Sequence, residues 1–490
     1  IPSLFAPQSG FFYQWAIETN RRQYEWPDVW ESLVFATPDE GLYWPESGIR
    51  GRGRALFASP VRDETGDVLG NFRRDLDISG LSSTIRGWNA REQRWMGVDE
   101  LERLTIGDAI TFAWDEAAPV ALVGPGETVQ LDSAQVIELE PGWNLIGQPY
   151  PYPISWDAVV EANAELTVSR PWVIDDGLRI ASIWKPWYGA WVYLDDEQAA
   201  TLTIPPRDTA LVDESLDTTA TRRAPIRLDR SEGWLSDESF LLSLSARSAS
   251  CRINDIAIGW NTHADDAWDA IDVPIPPSPD SSLVIRIQHD DWERRSGDYA
   301  VDVRTPGTGG IWRFLVDVND NGPVELRLSF ADPLPTGIYA DLIDLMVLDS
   351  VRLDQQSVTY QLRDLARFPQ REIAVVVGDE RFRDEVEREE MLAPSRLTLY
   401  QNYPNPFNSE TTITYSIPGH EGVGMRAQLV VYNMLGQQVR LLHDGPSNPG
   451  IHTFSWDGRD NQGMSVSSGV YFCELVWGSE RKLQRLIYLR

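Results

Sequence analysis

The clearest pattern in the chain is an alternation over residues 412–417. Ile413, Tyr415 and Ile417 fall on one face, and Thr412, Thr414 and Ser416 on the other. A period of two is that of a half-buried strand. Similar short runs follow at 428–432 and 439–441, parted by a Leu435-Gly436 turn. His452, Phe454 and Trp456 then alternate into a turn-rich loop over 457–463. Residues 468–472 open a further strand and 483–489 close the set, with Ile487 read as a core position. Just upstream, Pro404 and Pro406 bias 401–408 towards a rigid extended entry. Short strands parted by regular turns predict a β-sandwich over 396–490.

The rest of the chain reads the same way. Strands are predicted at 109–114, 129–139, 241–246, 283–288, 299–304, 312–318, 324–330 and 373–377. A run of prolines and aromatics over 148–156 predicts an extended, edge-like segment. Asn319-Asp320-Asn321-Gly322 lies between two alternating runs, which predicts a hairpin of 314–318 with 324–328. Helical signals are few: a short helix at 99–104, and a densely charged helix or linker over 379–390. The fold class is all-β, with several sandwich modules in tandem. The expected modules are 1–130, rich in aromatics; 131–220, with the Gly142–Gly147 and Pro149–Pro153 segments; 221–378, a jelly-roll or immunoglobulin-like sandwich; a charged linker 379–395; and the C-terminal sandwich 396–490.

Four segments of that last module form a recognisable series. They are Tyr403-Pro404-Asn405-Pro406-Phe407-Asn408; the Val431-to-Gln437 run with Gly436; Trp456-Asp457-Gly458; and Gly469-Val470-Tyr471. In this order, close to a basic and apolar chain end, they resemble the C-terminal sorting domain of type IX secretion cargo. The same series is similar to the immunoglobulin-like domain of flagellar hook-capping proteins. The resemblance implies an immunoglobulin-like fold and export across an outer membrane through a dedicated secretion machinery. It also implies an extracellular or cell-surface location, often with removal of the tail. The Gly142–Gly147 and Pro149–Pro153 segments resemble a module of large secreted proteins that carry such tails.

Composition narrows the partners. The 490 residues carry a net charge of −31. A surface this acidic repels phosphate backbones, so nucleic acid is not an expected partner. No stretch approaches the ~18 apolar residues of a membrane helix. The two cysteines, Cys251 and Cys473, lie too far apart to read as a disulfide framework. Residue 1 is not Met, and no charged-then-apolar leader follows it. With the tail resemblance, this leads to the expectation that the chain is the C-terminal part of a longer protein.

Candidate chemistry is sparse. Asp317, Asn319 and Asn321, followed by Gly322, match the first half of a calcium loop, but Leu328 stands where the closing acid belongs. A turn between strands explains the same residues. Calcium is the one candidate ion, and no organic cofactor is expected. His420-Glu421 starts like a zinc-protease helix, yet Gly424 replaces the second histidine. His289, before Asp290 and Asp291, has carboxylates that can order an imidazole. Trp184, Trp187 and Trp191 form the densest aromatic cluster; exposed, they would offer a stacking platform for glycans, and buried, a core. No catalytic constellation emerges. The expected function is a non-catalytic modular region of a secreted or cell-surface bacterial protein. The alternative is a secreted polysaccharide-acting hydrolase, or a carbohydrate-binding protein, with its catalytic part upstream.

Overall fold

The computed structural model describes residues 42–44, 53–63, 85–101, 104–114, 121–123, 126–175, 177–206, 238–249, 251–269, 271–278, 283–292, 295–319, 322–331, 333–388, 392–419 and 424–490. Strand accounts for 53% and helix for 5%, so the protein is all-β. The chain forms two compact units: residues 1–227 with 250–255 and 274–280, and the remainder, 228–249, 256–273 and 281–490.

In the first unit, a four-stranded antiparallel sheet runs in the order Gly53–Phe57, Ile110–Trp114, Ile85–Asn89, Arg94–Gly97. The predicted helix at 99–104 is a single 3-10 turn, Val98–Glu100, with residues 102–103 outside the described set. Further on, Gly142–Gly147 pairs with Gly189–Leu194, and Gln135–Leu139 with Ala200–Ile204. One face of these strands closes over a core of Ile146, Val192, Leu202, Ile204, Trp156 and Trp184. A seven-residue helix, Trp156–Ala162, contributes Trp156 and Val159 to that core.

The segment predicted as an extended edge instead folds inward. Tyr150 and Tyr152 are buried with their rings stacked at 5.0 Å. The reason is Gln148, wholly buried, whose Oε1 accepts the Tyr150 N–H and whose Nε2 donates to the Tyr152 carbonyl, each at 2.5 Å. A buried amide so satisfied replaces the ladder bonds that proline cannot make.

The second unit opens with a sandwich. Gly309–Val318 lies between Leu283–His289 and Gln370–Gly378, and the latter pairs on with Tyr339–Asp344. Another run places Val324–Phe330 between Phe240–Arg247 and Ser357–Leu362. Phe240 meets Trp312 and Trp260 edge to face, at 6.0 and 5.2 Å. The predicted hairpin is therefore wrong: 309–318 and 324–330 each have other neighbours, and residues 320 and 321 of the predicted turn lie outside the described residues. Asn-Gly favours a local reversal, but ladder partners are set by the burial of both faces, which no local signal contains. The charged segment forms the helix Glu380–Arg388, started by the Asp379 carboxylate, which accepts the Phe382 N–H at 2.7 Å.

The same unit ends in a second sandwich of two antiparallel sheets. One has the order Thr398–Leu399, Thr411–Ile417, Gly450–Trp456; the other Gln438–Pro446, Arg426–Asn433, Gly469–Trp477, Glu480–Tyr488. Its core holds Ile413, Tyr415, Ile417, Leu429, Val431, Trp456, Cys473, Leu475 and Leu486. Ile487 was read with the wrong phase: Leu486 and Tyr488 point into this core, and Ile487 is half-buried on the other face.

Candidate functional site

The four motif segments of the C-terminal sandwich gather at one of its ends. Register shows this directly. Thr411 pairs with Trp456, Asn433 with Tyr471, and Gly469 with Tyr488, each at a strand terminus. The 403–408 entry joins them through bridges from Tyr403 to Thr412 and from Phe407 to Tyr488.

Most motif side chains build this end. Phe407 and Trp456 lie 5.5 Å apart, and Phe407 and Tyr488 5.0 Å. Tyr471 meets Trp456 edge to face at 5.2 Å. Asn405 ties the entry to the last strand: its Oδ1 accepts the Ile487 N–H at 2.9 Å and its Nδ2 donates to the Arg485 carbonyl at 3.3 Å. Phe407 N donates to the Ile487 carbonyl, and Leu489 N to the Phe407 carbonyl. Both peptide bonds before Pro404 and Pro406 are cis. The Trp456 indole N–H donates to the Arg459 carbonyl at 2.9 Å, and the exposed Asp457 accepts the Arg459 N–H at 3.2 Å. Gly436, at φ +73°, closes a turn in which Asn433 Oδ1 accepts the N–H groups of Leu435 and Gln437. Val470 is half-buried opposite Ile487, while Pro404, Pro406 and Asn408 are exposed.

Among the exposed side chains of these loops are large apolar ones. Met434 is 72% exposed, Leu435 82%, Met464 65%, Leu489 52% and Tyr403 48%. Tyr403, Met434 and Leu435 fall within motif segments that the sequence singled out, but no periodic signal marked their exposure.

Elsewhere, the sequence-nominated residues behave differently. Asp317 accepts Arg286 Nη1 at 2.5 Å, so its carboxylate is already neutralised by a guanidinium. Asn319 follows that strand, and Asn321 lies outside the described residues. No group of three or more His, Cys, Asp or Glu suited to a metal occurs among the described residues. Trp184 is wholly buried, with its indole N–H donating to the Tyr188 carbonyl at 2.9 Å. Trp187 is half-buried against the same core, and its φ of +70° takes it off the strand. Trp191 is buried among Trp88, Trp95 and Trp143, at ring separations of 5.2, 5.4 and 6.2 Å. With Trp184 and Trp191 buried, these three do not form the flat exposed platform that stacking on sugars needs.

His289 is held more firmly than sequence implied. Its Nε2 faces Asp302 at 3.1 Å, its Nδ1 faces Asp291 at 3.3 Å, and its ring stacks on Trp292 at 3.4 Å. Burial works to raise the Asp302 carboxyl, but His289 and Arg304 outweigh it and hold it below the usual range. Neighbouring Asp272 has no cation partner among the described residues. Burial pushes it up to about 8 against two backbone N–H bonds from Asp269 and Val303. Both imidazole nitrogens are occupied by carboxylates, which leaves none to activate a nucleophile. Burial also pushes the Cys473 thiol far up, away from reactive thiolate chemistry.

Comparison with known proteins agrees with the geometry of the C-terminal sandwich. Residues 410–476 match the FlgD Ig-like domain family. The match assigns an immunoglobulin-like domain to this part of the chain. No curated protein matches the chain. Among solved structures, PorZ of Porphyromonas gingivalis, described as an essential bacterial surface component of the type-IX secretion system, is 20% identical. The alignment covers 24% of this chain and 14% of that one, with a TM-score of 0.14. Dimeric latent PorU of the same organism is 10% identical over 52% of this chain and 30% of that one, with a TM-score of 0.18. The aligned parts are thus a minor share of both relatives, and scores this low establish neither a common overall fold nor a common role.

Proposed function

We propose that this chain is a non-catalytic, modular part of a secreted or cell-surface bacterial protein, and that its C-terminal immunoglobulin-like domain is a type IX sorting domain. The observation that carries the reading is the convergence of all four motif segments on one end of that domain. There the buried motif residues shape the loops, and Tyr403, Met434, Leu435, Met464 and Leu489 stand out bare. The partner is the outer-membrane secretion machinery, recognising that apolar end. Calcium at Asp317 and glycan binding are not part of this reading.

The test is export. Residues 395–490 fused to a reporter in a type IX-competent host should carry it outside the cell, and deleting them should strand the parent chain in the periplasm. Replacing Met434 and Leu435 with Ser should block export of the fusion while leaving the domain folded. A folded, intact fusion that stays in the periplasm would overturn the proposal. Export unaffected by the double replacement would move recognition away from this end.

A further inference from the structure

The end of the immunoglobulin-like domain opposite the motif loops is also covered, and its cover is the preceding sandwich. Strand 411–417 runs from the motif end, where Thr411 pairs with Trp456, to the far end, where Ile417 pairs with Gly450. At that far end, Tyr400, Phe368 and Met346 form a buried cluster with Val347 and Ile451 packed on it. Tyr400 and Ile451 belong to the immunoglobulin-like domain; Met346, Val347 and Phe368 belong to the sandwich before it. The Tyr400 ring meets Phe368 edge to face at 5.9 Å, and its hydroxyl lies 3.3 Å from the Met346 sulfur. Ser416 should face solvent by alternation, yet it is 1% exposed beneath that hydroxyl.

A polar clasp flanks the cluster. The Glu372 carboxylate accepts the Ser395 N–H at 3.1 and 3.0 Å and binds Arg313 at 2.6 Å. The receiving surface is stiff. Arg371 and Asp344, both wholly buried, pair at 2.6 Å. Arg371 Nε donates to the Phe368 carbonyl, and Asp344 accepts the Met346 N–H. The two side chains that receive Tyr400 are thus fixed by one buried ion pair, so little ordering remains to oppose contact.

We infer that this joint holds the immunoglobulin-like domain on the body without help from the covalent connection, so that cutting the chain between them does not shed the domain. The inference stands whether or not the domain is an export signal. If it is one, removal of the tail needs a second event that parts Tyr400 from Phe368 and Met346. The joint also keeps the motif loops on the domain's free end.

The experiment uses the full chain with residues 389–391 replaced by a recognition site for a specific protease. After complete cutting, the fragment beginning at Leu392 should co-elute with the body in gel filtration at ~10 µM, a concentration within reach of modest interfaces. Phe368→Ala, made in the body, should weaken retention at least ~tenfold, as loss of a central aromatic contact does. Elution of the fragment apart from the body, folded or unfolded, would overturn the inference. Retention equal in the Phe368→Ala chain would overturn the assignment of the joint to this cluster.

Discussion

Gly458 offers a direct test of how the motif end is built. It has φ +67°, and a Cβ there would lie 2.7, 2.9 and 3.1 Å from Cζ, Cε2 and the hydroxyl of Tyr488. That ring cannot swing away, because it is buried against Phe407 and Trp456. Gly458→Ala therefore incurs two costs. The left-handed backbone costs an L-residue about 1–2 kcal/mol. Overpacking against a fixed ring adds about 1–3 kcal/mol. The natural control is Gly463, in the same loop at φ +80°, where an added Cβ meets nothing within 4 Å. Gly463→Ala should incur the backbone cost alone.

Unfolding of the whole chain would mix several cooperative units, so the domain must be read locally. Hydrogen exchange of peptides spanning 469–488 does this. With about 2–5 kcal/mol lost, exchange should quicken by ~30- to ~4,000-fold for Gly458→Ala, and by roughly tenfold for Gly463→Ala. In a Tyr488→Ala background the excess of Gly458→Ala should vanish, since the clash partner has gone. Equal effects of the two glycine substitutions would refute the packing argument. The glycine in the motif would then be explained by turn geometry alone.

Two further expectations concern phase and pH. Leu486 is wholly buried and Ile487 only half-buried, so Leu486→Ala should cost about 2–5 kcal/mol and Ile487→Ala at most about half as much, by the same exchange measurement. Equal costs would mean that the last strand is phased the other way. Asp272 has a folded-state pKa of about 8, above its ordinary value, so the folded protein holds a proton that the unfolded chain releases. Its stabilising contribution is complete below the unfolded value and declines as pH rises towards 8. Thermal unfolding of the second unit should show a fall in stability between about pH 4 and 8 that Asp272→Asn flattens. An unchanged pH slope in the Asn variant would place the titration elsewhere.

How much of this was legible depended on whether the relevant physics was local. Strand 283–289 buries Leu283, Ile285 and Ile287 in turn, and strand 411–417 buries Ile413, Tyr415 and Ile417. Period-two patterning found both because each sets its apolar side chains on one face towards a core, although Thr414 and Ser416 on the other face of the second are buried as well. The last strand defeated the same rule. Leu483, Leu486, Ile487 and Leu489 satisfy neither phase alone, and Leu483 and Leu489 are mostly exposed. Only pairing with the Gly469–Trp477 strand, whose Tyr471 and Cys473 face the core, decides that Leu486 turns inward. The 148–156 segment and the hairpin of 314–318 with 324–328 failed for a related reason. Proline and Asn-Gly state what the backbone can do locally, whereas Gln148 and the neighbours of strands 309–318 and 324–330 state what it does in context. The surface of the motif end was the least legible feature. Met434, Leu435 and Met464 sit in turns, where an apolar side chain fits no period and its exposure shows only after the strands around it are placed. Those residues break the local rule that turns are polar.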